Sequence, residues 1–374
     1  MANLLVIVSY KVFPPQMGGQ KGIVHFYEHL KQHDTIFMFV ASDNSPADPG
    51  YCVENFLFNN QRIGRNMLHL HRLKNIIKKE KIEAIIAEHS YTGWIGWLLK
   101  KWTGIPLIIH SHNIEASRFR QMGKKGWKWY QRYEAWVHKR ADFSFFKTNE
   151  EKNFAIRAYA LQDDKCGIIP YGVNSVQMIP AATQKIKVQY QITSEHLFYF
   201  NGTLDYAPNR EAVERIIDTI HPLLQARSLD FTILISGKNL SPQLLQKIEM
   251  VENIVYLRYV DDVNLLYQAS TLFLNPVIND SGVKTKLVEA LTNNCTVISV
   301  KSGAAGIPKD ICGPKLIITR DGDWPAFVAA MLENLSPKTN DIPTGFLAYF
   351  SWPNIAKKAA HQIQAVINHA GRTI

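Results

Sequence analysis

The chain has 374 residues, of which 46% are hydrophobic, and carries a formal net charge of +10 at neutral pH. This length exceeds one ordinary hydrophobic core and predicts two domains. The four cysteines show no CxxC spacing, and the first apolar run is too short for a secretion signal or a membrane span, so we expect a reducing cytoplasm. The positive charge favours polyanionic partners, which include nucleic acid, an anionic membrane surface and phosphorylated small molecules.

Apolar, strand-like runs alternate with helical patterns along both halves of the chain. The runs cover residues 4–8, 35–40, 84–87, 107–110 and 143–146, and then 198–200, 231–235, 254–257, 271–274, 296–300 and 315–319. Such βαβα order predicts parallel, doubly wound sheets covered by helices on both faces. The sequence therefore predicts two Rossmann-like halves, joined by residues 168–174 and a polar stretch that ends near residue 195.

A segment rich in basic and aromatic residues runs from Arg118 to Arg132. Aromatic side chains anchor proteins at a lipid interface, and lysines there attract anionic headgroups, so the segment favours a membrane-surface patch. The same mixture would stack on single-stranded nucleic acid, but no recognisable nucleic-acid module accompanies it. A solvated helix whose Trp and Tyr face the core is the third interpretation. We expect an anionic membrane surface as a partner and no nucleic acid.

The most informative segment lies at residues 275–290, where an apolar strand runs into a turn and a helix follows. Gly282 in that turn predicts backbone N–H groups exposed at the start of the helix, where the macrodipole favours phosphate. Lys284 and Lys286 add positive charge, and Glu289 offers a carboxylate that accepts hydrogen bonds from paired hydroxyls such as those of a ribose. The segment therefore predicts a site for a phosphate and a sugar.

In order and spacing, these elements resemble the GT-B glycosyltransferases, specifically the retaining enzymes of family 4 in the bacterial polysaccharide-biosynthesis branch. The stretches that carry the resemblance are residues 18–19, 111–115, 169–174, 201–209, 260–263 and 282–289. The resemblance implies two Rossmann-like domains facing across a cleft. It implies an acceptor-side domain at 1–172, a nucleotide-sugar domain at 173–350, and a C-terminal helix at 351–374 that crosses back onto the first domain.

On the donor side, the resemblance assigns Glu289 to the ribose of the nucleotide, and Lys284 and Lys286 to its diphosphate. Gly202 would let backbone donors approach the same phosphates, or it is an ordinary turn glycine. The first glutamate of the family's Glu-x7-Glu motif is replaced here by Ser281. The acidic group that contacts the transferred sugar is then either the neighbouring Asp280 or absent.

Other assignments concern the base and the acceptor side. Val260 and Asp261 match the segment that meets the nucleotide base, although Asp261 suits a helix N-cap equally well. His112 matches the histidine that contacts the transferred sugar, and His110 is its competitor on the same strand face. The Gly18-Gly19 turn follows the first strand. It is an acceptor or phosphate loop, or simply a tight turn, because its spacing fits neither GxGxxG nor a phosphate-binding loop.

The expected function is therefore a cytoplasmic, metal-independent, retaining hexosyltransferase that needs no cofactor beyond its nucleotide-diphosphate sugar donor. Its acceptor is expected to be a glycan or a lipid-linked sugar of bacterial cell-surface polysaccharide biosynthesis, and the enzyme is expected to be peripheral at the inner face of the plasma membrane. The alternatives are a non-catalytic sugar-nucleotide or glycan-binding partner and a GT-B-fold nucleotide-sugar epimerase. Asp321-Gly322-Asp323 fits a metal-binding DxD motif, but it precedes a helix and is expected to stabilise the helix N-terminus instead.

Overall fold

The computed structural model of the chain describes residues 1–15, 17–278, 284–336 and 341–372. The chain forms two compact units. The first unit contains residues 1–172 and the C-terminal segment from Tyr349 onward, and the second contains the described residues from Val173 to Ala348. Asp280, Ser281 and Gly282, which the sequence analysis singled out, lie outside the described residues.

Each unit is built on a parallel sheet. The strands are β1 (Asn3–Val8), β2 (Thr35–Ala41), β3 (Cys52–Leu57), β4 (Ala84–Glu88), β5 (Leu107–His110), β6 (Phe143–Phe146), β7 (Cys166–Ile168), β8 (His196–Asn201), β9 (Phe231–Ser236), β10 (Ile254–Tyr256), β11 (Leu272–Asn275), β12 (Thr296–Val300) and β13 (Leu316–Thr319). Within the described residues, the strand order is β3-β2-β1-β4-β5-β6-β7 in the first unit and β10-β9-β8-β11-β12-β13 in the second. Both orders are those of doubly wound folds, as predicted.

Helices connect the strands and cover the sheets. They are α1 (Gly18–Leu30), α2 (Leu70–Lys79), α3 (Gly93–Thr103), α4 (Glu115–Gln121), α5 (Trp127–Arg140), α6 (Asn149–Tyr159), α7 (Ala182–Tyr190), α8 (Ala207–Arg215), α9 (His221–Gln225), α10 (Pro242–Glu249), α11 (Asn264–Ala269), α12 (Thr285–Thr292), α13 (Trp324–Leu332), α14 (Thr344–Phe350) and α15 (Trp352–Gly371). Among the described residues, no helix combines the length and the apolar content needed to cross a membrane.

The central strands are buried almost completely, which explains why they read as continuous apolar runs rather than as alternating patterns. Every residue of β4, β5 and β12 is buried. The edge strands differ, and the sequence analysis missed β3 and β7. Strand β3 is mostly half-exposed and carries polar residues, while β7 has only 3 residues.

The polar stretch that was expected to be a loose linker contains the ordered helix α7. Ala182 and Ile186 are buried, and the Thr183 hydroxyl donates to the Ala269 carbonyl at 3.0 Å. Most positions of this short helix are polar and exposed, and two buried positions are too few to give a helical pattern in the sequence. The stretch is therefore part of the second unit.

Helix α15 packs against α1 in the first unit. The indole of Trp352 is 1% exposed and lies edge-on to Tyr171, at a ring-centroid distance of 5.7 Å. A Cβ added to Gly172 would lie 2.3 Å from the same indole. The chain leaves this unit at Gly172 and returns at Tyr349. The contact between Tyr171 and Trp352 therefore holds the leaving and the returning segments together.

Candidate functional site

In the first unit, polar side chains collect at the carboxyl ends of two neighbouring strands. Glu88 ends β4, His110 ends β5, and the two residues are paired in the sheet register. His112 follows two residues later and turns to the same side as His110, as strand alternation predicts. In open parallel sheets, ligands bind outside the carboxyl ends of the strands.

Glu88 is the centre of this cluster and is fully buried. The Tyr27 hydroxyl donates to its Oε1 at 2.5 Å, His110 Nδ1 lies 2.8 Å from the same oxygen, and His112 Nε2 lies 2.5 Å from Oε2. Lys147 Nζ donates to His110 Nε2 at 2.8 Å. The hydrogen bond from Lys147 requires a lone pair on His110 Nε2. The His110 proton is therefore on Nδ1, which faces the carboxylate.

The cluster holds one negative and one positive charge. Burial alone would raise the pKa of Glu88, but His110 and His112 beside it hold that pKa well below its ordinary value. Burial lowers the pKa of Lys147 to about 8, so it remains largely protonated at neutral pH. Burial also lowers the pKa of His112 to about 3. His112 is therefore neutral, with its proton on Nε2 toward Glu88 and a lone pair on Nδ1.

Glu88, His110 and His112 each offer one donor atom, and these atoms lie within 4.8 Å of one another. Such a set is able to bind a divalent metal. However, the two nitrogens lie 2.8 Å and 2.5 Å from the carboxylate oxygens, which is hydrogen-bond spacing. Ligands held about 2.1 Å from one ion stand roughly 3 Å or more apart. The cluster therefore fits a hydrogen-bonded network, and metal independence stays a prediction.

His89, which sequence reasoning missed, lies beside this cluster at the start of the loop after β4. Its backbone has φ 62° and ψ 160°, a region that is essentially restricted to glycine. Its ring stacks on His112 at a centroid distance of 4.5 Å. Its Nδ1 is buried without a hydrogen bond, and the nearest carboxylate oxygen, Oε1 of Glu115, is 3.6 Å away.

Glu115 begins α4 and is 1% exposed. The Tyr91 hydroxyl donates to its Oε2 at 2.6 Å, and Arg118 Nε lies 3.0 Å from the same oxygen. The helix cap comes from elsewhere, because Glu134 accepts hydrogen bonds from the backbone N–H groups of Glu115 and Ala116 at 3.1 Å each. The side chain of Glu115 is thus held in the cluster instead of capping its own helix.

In the second unit, Gly202 and Lys286 meet where β8 ends. A Cβ on Gly202 would lie 2.5 Å from Lys286 Nζ. That ammonium donates to Asn209 Oδ1 at 2.7 Å and lies 5.1 Å from the centroid of the Phe200 ring. Burial lowers the pKa of Lys286 to about 7. The absence of a side chain on Gly202 therefore makes the space that the partly buried Lys286 ammonium and the Asn209 amide occupy.

Glu289 lies on the same helix as Lys286, one turn further along. The Tyr267 hydroxyl donates to its Oε2 at 3.4 Å, and the same hydroxyl accepts from Asn201 Nδ2 at 2.9 Å. Asn201 is the last residue of β8 and adjoins Gly202. The carboxylate expected to bind ribose is thus tied to the strand end that carries the glycine expected to face phosphate.

Two models of known families match the chain. The model described as Glycosyltransferase Family 4 matches residues 18–177, and the model described as Glycosyl transferases group 1 matches residues 195–336. Together they cover most of the sequence, and each falls on one of the two sheets. The chain is a GT-B glycosyltransferase of the family 4 kind.

Curated relatives match only part of this glycosyltransferase. An uncharacterized 44.6 kDa protein in the cps region of Klebsiella pneumoniae is 26% identical over 129 residues, which are 33% of each chain. The UDP-Gal:alpha-D-GlcNAc-diphosphoundecaprenol alpha-1,3-galactosyltransferase of Escherichia coli is 28% identical over 119 residues, 31% of this chain and 30% of that protein. The matched part thus spans about a third of either relative.

Solved structures match over nearly the full length and share the fold. A glycosyltransferase from Rickettsia africae has a TM-score of 0.73 at 15% identity, covering 98% of both chains. Anabaena HepE in complex with UDP and glucose has a TM-score of 0.69 at 14% identity, covering 98% of this chain and all of that one. WaaG, involved in lipopolysaccharide biosynthesis, has a TM-score of 0.61 at 16% identity, with 99% of both chains covered.

The remaining residues expected at the site are placed less distinctively. Gly18 and Gly19 are the first residues of α1 rather than part of a loop. Asp261 is exposed and does not cap α11; its neighbour Asp262 accepts from the Asn264 N–H at 2.9 Å. Val260 is half-buried, and Lys284 stands at the start of α12.

Two sequence motifs resolve into structural roles. Asp323 caps α13 by accepting from the Ala326 N–H at 3.1 Å, as expected for the Asp321-Gly322-Asp323 motif. The sequence also has histidines at four-residue spacing, at positions 25, 29 and 33, which would suit a row of metal ligands on one helix face, but they do not form one row. His25 pairs with Glu28 at 2.7 Å, His29 stacks near Trp352, and the third member, His33, lies beyond the end of α1.

The basic and aromatic segment forms α4, the following turn and α5 of the first unit. Trp129 is 74% exposed and Met122 is 60% exposed. The segment surrounds a hollow of about 460 Å³ lined by Arg120, Gly123, Lys124, Lys125, Gly126, Trp127, Lys128 and Trp129. Arg132 lies 5.3 Å from the centroid of Trp129, so the guanidinium and the indole share one exposed surface.

Proposed function

We propose that this glycosyltransferase is a retaining, metal-independent hexosyltransferase that uses a nucleotide-diphosphate sugar. The observation that carries the proposal is the position of the Lys286 ammonium, which lies against Gly202 at the end of β8 and donates to Asn209. When the bond between sugar and phosphate breaks, negative charge develops on the departing diphosphate. A positioned ammonium in a partly dry site stabilises that charge without reorganisation.

Glu289 supports the nucleotide half of the proposal. Its carboxylate lies on the helix that carries Lys286 and is oriented by the Tyr267 hydroxyl. A carboxylate accepts two hydrogen bonds from the vicinal hydroxyls of a ribose. The structures of HepE in complex with UDP and with UDP-glucose make a uridine nucleotide the first donor to test.

The proposed acceptor is a glycan or a lipid-linked sugar of bacterial cell-surface polysaccharide biosynthesis. Support comes from the Escherichia coli relative, whose described acceptor is a sugar diphosphate on a polyprenyl lipid, and from the cps-region relative of Klebsiella pneumoniae. The neutral His112, which bears a free lone pair, supports recognition of the uncharged transferred sugar, since such a nitrogen accepts a hydrogen bond from a hydroxyl.

The decisive experiment measures thermal stabilisation by a panel of nucleotide diphosphates and nucleotide sugars, with and without a chelator. A ligand that binds only the native state raises its melting temperature. We expect one nucleotide to stabilise the protein selectively, to do so in chelator, and to lose most of this effect in Glu289→Ala. Glu211→Ala, which removes a surface carboxylate paired with Arg215, is the matched control and should leave the shift unchanged.

Other outcomes distinguish the alternatives. A panel in which no nucleotide stabilises the protein contradicts the proposed donor site and favours a glycan-binding partner. Conversion of the nucleotide sugar without any acceptor favours the epimerase. Asp280→Asn separates a transferase from a sugar-nucleotide-binding partner, because a transferase that uses this carboxylate loses turnover while it keeps most of its nucleotide binding.

We further propose that the enzyme works at the inner face of the plasma membrane, bound through residues 118–132. Exposed Trp129 and Met122 provide the apolar contact, and the lysines around the hollow attract anionic headgroups at about 1 kcal/mol each near the surface. The variant Lys124→Gln/Lys125→Gln/Lys128→Gln should lose binding to phosphatidylglycerol vesicles, whereas replacing the lysines at 78, 79 and 81 should not. Equal sedimentation of both triple variants with vesicles would contradict the assignment.

A further inference from the structure

His89 is held in a backbone conformation that a residue with a side chain rarely adopts. Its φ is 62° and its ψ is 160°, in the region that is essentially limited to glycine. A glycine at this position would relieve the strain. A histidine held there by its surroundings indicates that the imidazole has a role that the backbone geometry alone does not explain.

The ring environment of His89 repeats that of His112. His112 Nε2 faces the Glu88 carboxylate at 2.5 Å, and His89 Nδ1 faces the Glu115 carboxylate at 3.6 Å. The two imidazoles are stacked, with centroids 4.5 Å apart and planes 28° from parallel. Two carboxylate–histidine pairs therefore lie side by side at the carboxyl ends of β4 and β5.

The Glu88 carboxylate holds the proton of His112 on Nε2 through a hydrogen bond of 2.5 Å, so Nδ1 keeps its lone pair. The Glu115 carboxylate lies 3.6 Å from His89 Nδ1, beyond hydrogen-bond distance, and favours the proton on that nearer nitrogen through its charge alone. In His89, Nδ1 is buried toward Glu115, while the side chain as a whole is 10% exposed. Among the described residues, Nε2 of His89 has no hydrogen-bond partner. This nitrogen is left for a ligand, as Nδ1 is in His112.

The ligand must be uncharged and must donate a hydrogen bond. Burial lowers the pKa of His89 to about 3, with His112 beside it acting in the same direction, so the ring is neutral at any working pH. Glu88 and Glu115 lie beside the positive Lys147 and Arg118, so the surroundings of the ring offer an anion no net positive charge. A sugar hydroxyl satisfies both conditions, because it is neutral and donates one proton.

We propose that His89, oriented by Glu115, binds a hydroxyl of the acceptor sugar and is a specificity-determining residue of the transfer reaction. The inference rests on the proposed function, since it requires that the protein transfers a sugar. Of the two stacked imidazoles, His112 is then assigned to the transferred sugar and His89 to the acceptor sugar.

The test compares His89→Gly with wild type, because glycine relieves the strained backbone while it removes the ring. The probes are UDP-galactose with a lipid-linked N-acetylglucosaminyl diphosphate as acceptor, and UDP-galactose alone, whose hydrolysis reports the donor site with water as acceptor. Loss of a hydrogen bond to the acceptor should lower kcat/KM for that acceptor by about tenfold to a hundredfold. Donor hydrolysis and stabilisation by UDP should stay within about twofold of wild type. Added imidazole should partly restore acceptor transfer.

His138→Gly is the matched control. His138 is also a buried histidine with one ring nitrogen lacking a partner, but it stacks on Phe146 and Tyr159 in the core. This variant should lower the melting temperature and reduce acceptor transfer and donor hydrolysis in equal proportion. An equal loss in His89→Gly would make His89 structural and overturn the inference.

The remaining outcomes separate the inference from the proposed function. Unchanged acceptor kcat/KM in a folded His89→Gly overturns the role of His89 and leaves the transferase intact. No transfer by wild type to this acceptor, to its glucosyl or galactosyl diphosphate counterparts, or to water contradicts the proposed function, and the inference falls with it. If His89→Gly does not fold, His89→Asn is measured in the same way, since asparagine tolerates positive φ better than most residues.

Discussion

Binding of the donor diphosphate should weaken steeply above neutral pH, because its binding cation is partly buried. Burial lowers the pKa of Lys286 from its ordinary value of 10.5 to about 7. The ammonium donates to Asn209 and lies over the Phe200 ring. Little water solvates it there, so burial disfavours its charged form. A diphosphate beside Nζ favours the protonated form and raises this pKa again on binding.

The magnitude follows from the fraction of free protein that carries the charge. About half of the molecules are protonated at pH 7 and about one in a hundred at pH 9. If the diphosphate requires the ammonium, its affinity should fall about 50-fold across this interval. The sign is that of a base whose pKa rises on binding. Binding takes up a proton, and the affinity gained from the charge is lost as the pH rises through the pKa of the free protein.

Isothermal titration with UDP, repeated in buffers of different ionisation enthalpy, measures both the affinity and the proton uptake. Uptake should approach one proton per nucleotide near pH 8. Lys286→Arg keeps its charge at every accessible pH, so its affinity should be nearly flat over the same interval. Lys247→Arg, on the surface beside Asp218, should keep the wild-type slope. A flat wild-type profile, or a slope that persists in Lys286→Arg, would refute the assignment of Lys286 to the diphosphate.

Two further predictions concern stability. Gly172→Ala should destabilise the protein by about 1–3 kcal/mol in urea unfolding, since its Cβ would lie 2.3 Å from the Trp352 indole. Gly345→Ala is the control, because its Cβ would meet nothing within 4 Å, and it should be neutral or slightly stabilising. Equal effects of the two variants would contradict the packing argument. Glu88→Gln should cost about 3–5 kcal/mol because it leaves the buried Lys147 without its counter-charge. Adding Lys147→Met should recover part of that loss in a double-mutant cycle, and a purely additive cycle would show that the two charges do not interact.

The fold could largely be predicted from the sequence, since its central strands are covered on both faces. Residues 107–110, 143–146 and 296–300 were predicted with the bounds that the structure shows. Strand β3 could not be predicted because it is half-exposed and carries polar residues, and β7 because three residues are too short for an apolar run. Helix α7 was hidden for a similar reason, since two buried positions in a short polar helix give no clear period.

The contacts of the second unit's cluster were more predictable than those of the first unit's cluster. Gly202 and Lys286 were expected near one phosphate, and the structure brings them into contact. Glu88, His89 and Lys147 were missed, because nothing in their spacing shows that they converge on one cluster. One signal was available: a glutamate ends a strand whose other residues are apolar, and a charge in that position requires a buried partner.

The Glu88 cluster of the first unit and the Lys286 cluster of the second differ in charge. This difference indicates which part of a substrate each cluster suits. In the first unit, Glu88 and Lys147 balance one another through His110, so the histidines that remain available are neutral. In the second unit, Lys286 is a cation at neutral pH for about half of the molecules. Neutral acceptors of hydrogen bonds suit sugar hydroxyls, and a cation of adjustable charge suits a leaving diphosphate. The buried Lys147 therefore compensates the charge of Glu88 while the neighbouring His112 stays neutral.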